Sequence, residues 1–314
     1  LTELKFNKSY KLLIETHSGA WVEVKPPLML EFEITRNNLA TANTGRFVLY
    51  NLSRQTRNAI FQDRWEHEKR LAVQLYAGYI QNKKADAPIP LIFNGRVMEA
   101  ISYKDNINMK TEIDAWDGGV SNSETLLNET VDATKPIEAT ITSIAKQCPN
   151  IEKVTITSNI PQPKKDVVLF GDVAKNLSKL TNTQWFIDNQ ELFLLNSGEY
   201  VEGLPCIIDA SSGLLTSPKR SGAQLSFDML FEPHVRVGQI VEIKSIGEPI
   251  YNGRYIVTGF KHSGKIGFGG DAPTITTLYL WVGVNRFQSL KTIGVKSHIS
   301  LPTRIIKEGG EMIA

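Results

Sequence analysis

The residues that could carry out chemistry in this chain are few, and none stands at a spacing that commits it. Gly264, Gly267, Gly269 and Gly270, in the run Gly264-Lys265-Ile266-Gly267-Phe268-Gly269-Gly270, have the glycine content of a phosphate-binding loop. Such a loop works only where a strand feeds it and a helix leaves it, because helix-terminal NH groups meet the pyrophosphate. Here Asp271-Ala272-Pro273 and another strand-like run follow, so a flexible connection between strands is expected. Trp65-Glu66-His67-Glu68 sets a histidine between carboxylates, but sequence neighbours point in different directions and no second histidine lies at helical or hairpin spacing. His17, His234, His262 and His298 are scattered singly. Asp114 with Asp117, or Glu31 with Glu33, could form the carboxylate pair of a glycoside hydrolase, although alternating glutamates are the mark of a solvated strand face. Lys219 and Arg220, flanked by Ser217-Pro218 and Ser221-Gly222, could touch phosphates. Without interleaved aromatics, a solvated turn or a salt bridge to a neighbouring subunit is favoured. No Gly-x-Ser-x-Gly, His-Glu-x-x-His or Gly-Lys-Ser/Thr signature occurs, so no catalytic residue, metal ligand or cofactor is expected.

Composition agrees with that absence. The 35 basic and 33 acidic residues leave a net charge of +2, which gives no global attraction to nucleic acid or acidic lipid. A hydrophobic share of 41% in 314 residues is enough for two or three ordinary cores. Cys148 and Cys206 stand far apart in unrelated contexts, so both are expected as buried thiols in a reducing compartment. No apolar run is long enough to span a bilayer, and no leader pattern opens the chain; assembly in a cytoplasm is expected.

The elements that would position these residues are mostly strands. Over residues 1–120 the pattern has period two: Leu30, Phe32 and Ile34 share one face and Glu31, Glu33 and Thr35 the other, and Leu71, Val73 and Leu75 repeat it. Leu91–Ser102 and Met109–Asp117 read as strands joined by a turn at Lys104-Asp105-Asn106. Ser53 can cap one short helix carrying Ala59, Ile60 and Phe61. The polar stretch Gln81–Pro88 reads as a loop.

Between 121 and 204 the period changes. Ile137, Ile141, Ile144 and Cys148 follow Pro136 at helical spacing, and Val173, Leu177 and Leu180 follow a capping Asp172. Trp185-Phe186-Ile187, a turn at Asp188-Asn189-Gln190 and Leu192–Leu195 then read as a hairpin. From 205 to 290 strands return. In the last of them Leu278, Leu280 and Val282 oppose Tyr279 and Trp281, so both faces are apolar or aromatic, and Tyr279 and Trp281 are the expected interface residues, with Lys219 and Arg220 as further candidates. Residues 291–314 read as a C-terminal arm that orders against a partner.

The order of motifs from Gly213 to Val282 resembles a known family. Gly213-Leu214 with Pro218, then Glu232-Pro233 with Gly238 before an apolar strand, then Gly253-Arg254-Tyr255-Ile256-Val257, are similar to the second barrel of the baseplate or tail hub proteins of tailed bacteriophages and contractile injection systems. Asn51-Leu52-Ser53, the strand Ile92–Val97 and the exit Trp116-Asp117-Gly118-Gly119 resemble the same family's first barrel. The resemblance implies two tail-tube-like antiparallel β-barrels around an α+β insert of two helices and a hairpin. It further implies a homotrimer whose barrels form a pseudo-sixfold ring between a sixfold tail tube, or distal tail protein, and a threefold central spike. The lumen of that ring would pass the tape measure protein and then DNA, with baseplate wedge proteins as possible neighbours. On that footing the chain is a structural adaptor of the virion tail tip, assembled in the host bacterial cytoplasm, with no stable membrane insertion. Two other classes stay open: a tail-borne cell-wall hydrolase, which needs a carboxylate or metal site, and a carbohydrate- or oligonucleotide-binding barrel.

Overall fold

The computed structural model describes residues 5, 7–39, 41–65, 69–80, 89–118, 126–148, 151–156, 160–181, 184–195, 199–201, 206–267, 273–282, 293–295 and 299–300. The fold is mainly β. Strands β1 (Lys8–Glu15), β2 (Trp21–Val24), β3 (Leu30–Asn37) and β4 (Asn43–Tyr50) precede helix α1 (Arg54–Ala59), and β5 (Ala72–Tyr79), β6 (Leu91–Asp105) and β7 (Asn108–Asp117) follow it. Next come β8 (Leu126–Val131), α2 (Ile137–Gln147), β9 (Lys153–Ile156), β10 (Val167–Asp172), α3 (Val173–Thr181), β11 (Gln184–Asp188), β12 (Glu191–Leu195) and β13 (Glu199–Val201). The remainder is β14 (Cys206–Asp209), β15 (Lys219–Ser221), β16 (Gln224–Leu230), β17 (Ile240–Lys244), β18 (Gly253–Ile266), β19 (Ile275–Trp281), β20 (Ile293–Val295) and β21 (Ile299–Ser300).

Local chemistry accounts for the helix starts. Ser53 Oγ accepts a bond from the Thr56 backbone NH at 3.1 Å, and an Asp172 carboxylate oxygen accepts from the Lys175 NH at 3.0 Å, so each satisfies a donor the helix cannot. Pro136 precedes α2, whose Ile137, Ile141 and Ile144 are buried on one side. The β11–β12 turn is the two residues Asn189 and Gln190, both at positive φ (49° and 66°), the geometry that matches the twist of a tight hairpin. In β6–β7 the turn falls at Asn106-Ile107, one or two positions beyond the expected one, with Asn106 taking the left-handed conformation at φ 53°.

One 13-stranded sheet runs through both strand-rich regions in the order β15-β16-β19-β18-β3-β4-β7-β6-β5-β1-β2, with β17 also on β18 and β14 on β17. The regions join where one edge of β18 leaves β17 after Ile256 and takes β3 from Gly259 onward. Gly259 is required at this hand-over, since a Cβ there would sit 2.7 Å from the Arg36 carbonyl oxygen. A bulge between Val257 and Gly259 bends β18 at that point, and a bulge between Val97 and Glu99 bends the similarly long β6. All pairings of this sheet are antiparallel except the parallel one of β14 with β17, and among the described residues no pairing closes it into either of the two expected barrels.

Several local expectations are corrected. Lys219 and Arg220 are not in a loop but in β15, paired with Ser226 and Leu225, because an edge ladder satisfies their backbone better than an open turn. Gly213-Leu214-Leu215 is a turn with a single bridge from Leu214 to Met229. Gly264-Lys265-Ile266 continues β18 against Phe32, Glu31 and Leu30, and Gly264 is there because a Cβ would press within 2.5 Å of Thr274. Phe268-Gly269-Gly270, Glu66-His67-Glu68, His298 and the Gln81–Pro88 stretch lie outside the described residues. Cys148 is buried but Cys206 only half so, since it sits in β14 at the margin of the sheet; both are thiols. The described parts of the C-terminal arm pair within the chain itself: β20 runs parallel to β13, and β21 antiparallel to β9.

Three groups of buried side chains form the core. One gathers β1 to β7 with Phe231 and Ile266, a second lies wholly within Leu127–Leu194, and a third combines β14 to β19 with Phe186, Phe193 and Leu195. The β11–β12 hairpin therefore serves two cores. Trp185, Ile187, Leu192 and Leu194 point into the second and Phe186, Phe193 and Leu195 into the third. That explains its unbroken apolar sequence, as a strand covered on both faces has no side left for polar residues.

Candidate functional site

The chemically densest point of the molecule is the place where the hairpin tip meets the shared sheet. Arg36, on β3, is 1% exposed. One Nη donates to an Asp117 carboxylate oxygen at 3.1 Å and to Asp188, and the other donates to the Ile92 carbonyl oxygen at 3.0 Å and to the Asn189 side-chain oxygen. Asp117, at the end of β7, also accepts the Asn189 backbone NH at 2.6 Å. Around this ring Asn43 donates to the Ile187 carbonyl at 2.7 Å, and Asn94 donates to Gln190 at 2.6 Å.

A guanidinium suits the position because its planar fork reaches several acceptors at once. Burial pulls the Arg36 pKa down and Asp117 offsets part of that, yet an arginine stays charged inside proteins. The cluster is therefore a buried cation clamped by carboxylates from the end of β7 and the end of β11. It fastens the α+β region to the first strand region. Asp117 is thus occupied as a clamp. Asp114 lies near Arg64, at 3.5 Å. Glu31 and Glu33 pair with Lys265 and Lys261 across the β3–β18 ladder, Glu33 at 2.9 Å. The alternating glutamates thus belong to a charge ladder on the outer sheet face, worth little individually.

Close by, His262 on β18 is 1% exposed and its Nδ1 lies 2.9 Å from the Thr276 hydroxyl. Burial, and then the charge of Arg36, depress its pKa to about 3. The imidazole is therefore neutral in the folded chain while the unfolded chain takes up a proton below its ordinary pKa near 6.5. Folding stability supplied by this site is complete above about pH 6.5 and is lost as pH falls from there towards about 3, by up to ~1.4 kcal/mol per pH unit. Thermal unfolding between about pH 7 and 5 should show this slope, and His262→Gln should flatten it by up to about 2 kcal/mol over that interval.

Two cavities flank the cluster. One, of about 360 Å³, is polar and bounded by Arg36, Asn94, Glu152, Gln190, Arg236 and His262. The other, of about 590 Å³, lies between β18–β19 and the hairpin. Tyr279 and Trp281 line the second cavity, half-buried on the face of β19 away from the core, across from Phe186, Leu195 and Glu199. They face the α+β region across a gap, while Leu278, Leu280 and Val282 on the other face fill the third core. Lys219 and Arg220 do not join them: Lys219 is exposed, and Arg220 donates to the Gly222 carbonyl at 2.9 Å. Arg36, Asp188 and His262 were not legible as site residues, because each is a single residue whose partners come from distant strands. Among the described residues no group of three His, Cys, Asp or Glu side chains could hold a metal ion, and no helix is long and apolar enough to cross a membrane.

The charged and aromatic side chains here are spent on holding strand units together, and the comparisons with known proteins point the same way. No curated protein matches the sequence significantly. Among solved structures, the prophage MuSo2 43 kDa tail protein from Shewanella oneidensis is similar with a TM-score of 0.58 at 7% identity, over 87% of this chain and 96% of that one. The tail protein from Neisseria meningitidis MC58 gives 0.59 at 10% identity, over 87% and 96% of the two chains. The Escherichia coli c3393 protein gives 0.53 at 12% identity over 85% and 76%; it is described as a component of the type VI secretion system with structural similarity to the T4 bacteriophage tail proteins gp27 and gp5. At these identities the likeness is one of fold. The sequence itself matches the family model described as baseplate hub gp41 over residues 11–263, most of the chain, and this places the protein in that family of phage baseplate hubs.

Proposed function

We propose that the chain is a structural, non-enzymatic hub: a homotrimer that adapts a sixfold tail tube to a threefold spike and encloses part of the channel through which DNA passes. Its units would be a first barrel-like domain at 1–120, an α+β domain at 121–204, a second barrel-like domain at 205–290 and the arm from 291, which this chain partly absorbs into its own sheets. The observation that carries the proposal is the continuous sheet across β18 and β3. It fuses two strand units of separate sequence origin, and three such pairs would present six docking units while keeping threefold symmetry. Tail tube or distal tail protein and central spike are the partners on the two sides, with the tape measure in the lumen and the whole located in the virion tail. A near-neutral chain suits a conduit that must let DNA slide without holding it.

Light scattering of the purified chain, with and without the spike protein of the same particle, tests this. A mass of three times 35.1 kDa in either condition is expected. A monomer in both would sink the proposal. Trp281→Glu should reduce trimer yield by about tenfold or more while leaving the monomer folded, as the side chain is half-buried beside a cavity rather than in a core.

A further inference from the structure

Strands β8 and β10 form a two-stranded ribbon with two unlike faces. Leu127, Val131 and Leu169 are buried against the second core at 1%, 2% and 2% exposure, whereas Leu126, Val168 and Phe170 are 74%, 69% and 78% exposed. The register sets Phe170 opposite Asn128 and Val168 opposite Thr130, with Leu126 diagonal to Phe170. The outer face thus reads Leu126, Asn128, Thr130, Val168 and Phe170. Its single charged member is Asp172, at the end of the ribbon, where the carboxylate is engaged in capping α3. Among the described residues neither outer edge of the ribbon pairs with another strand.

An exposed strand edge normally carries charge, a proline or a covering strand, because its unpaired NH and carbonyl groups invite another chain. Between Val167 and Gly171 the edge of β10 has none of these among the described residues, and it has the two exposed apolar residues Val168 and Phe170 at the alternate spacing an incoming strand would match. A face without basic side chains argues against nucleic acid as the occupant. Area argues against a second copy held by this face alone, since the apolar patch is on the order of 400 Å² while a stable subunit interface buries ~800 Å² per partner. Strand addition needs less side-chain area because main-chain hydrogen bonds supply affinity.

We propose that the β10 edge is a docking site for an extended segment of a partner polypeptide, added as a third strand with alternate apolar side chains beside Val168 and Phe170. This goes beyond the hub reading and does not depend on trimer formation. The test is fluorescence anisotropy of a labelled octapeptide of alternating valine and threonine titrated with the full-length chain. Saturable binding is expected, weakened by about tenfold or more by Phe170→Asp and by N-methylation of alternate peptide bonds, and unchanged by Trp281→Glu. Phe170 lies outside the cores, so Phe170→Asp should keep the wild-type melting temperature. Equal binding to Phe170→Asp, or no saturable binding to the wild type, overturns the proposal. So does sedimentation in which Phe170→Asp alone lowers the mass of the oligomer, which would make the ribbon a subunit interface instead.

Discussion

Arg36→Ala is expected to lower stability by about 3–5 kcal/mol, the largest effect of any single substitution outside the apolar cores. The substitution removes a cation from between Asp117 and Asp188, both within 5% exposure, and leaves two carboxylates buried without their counter-charge. It also frees the Ile92 carbonyl and the Asn189 side chain of a donor. Arg36→Lys keeps the charge, but a single ammonium cannot span acceptors contributed by β6, β7 and the hairpin turn, so an intermediate loss is expected. The triple variant Arg36→Met, Asp117→Asn, Asp188→Asn should recover part of the deficit, because it removes the buried charges together with their clamp. Denaturation midpoints in urea measure the series. An Arg36→Ala chain within about 1 kcal/mol of the wild type would show that the cluster contributes packing only.

That cluster also shows where the sequence stops being informative. Period-two alternation places Leu30, Phe32 and Ile34, and likewise Leu71, Val73 and Leu75, on buried faces, because each strand carries its own record of which side meets the core. Capping chemistry at Ser53 and Asp172 was equally local, and so was legible. Strand pairing across more than two hundred residues leaves no such record, so the junction of β18 with β3 is not readable from the sequence. Arg36 stands within a strand between Thr35 and Asn37, and nothing nearby distinguishes it from a solvated arginine. Both faces of Thr277–Val282 carry apolar or aromatic residues, but the same pattern, without polar relief, is stronger in Trp185–Ile187 and Leu192–Leu195. There a short hairpin reading was sufficient for the element and too weak for its consequence. Two covered faces require two cores, and the hairpin is where they meet.

Phe193→Ala tests that consequence with the second large effect, an expected loss of about 3–5 kcal/mol. Phe193 and Phe186 stack with ring centroids 4.9 Å apart and planes 10° from parallel, and both face the third core. Leu194, the next residue, is fully buried on the opposite face in the second core, and Leu194→Ala should cost about 2–5 kcal/mol. Similar losses would hide different mechanisms, so hydrogen exchange separates them. Phe193→Ala should speed exchange in β17 and β18 while α2 and α3 keep their protection; Leu194→Ala should do the reverse. A double-mutant cycle between Phe186 and Phe193 should give a coupling of about 0.5–1.5 kcal/mol from the stacked pair. If both substitutions loosen the same amides equally, the hairpin belongs to a single cooperative core. The α+β region would then be continuous with the strand regions rather than a separate unit pinned to them by Arg36 and this aromatic pair.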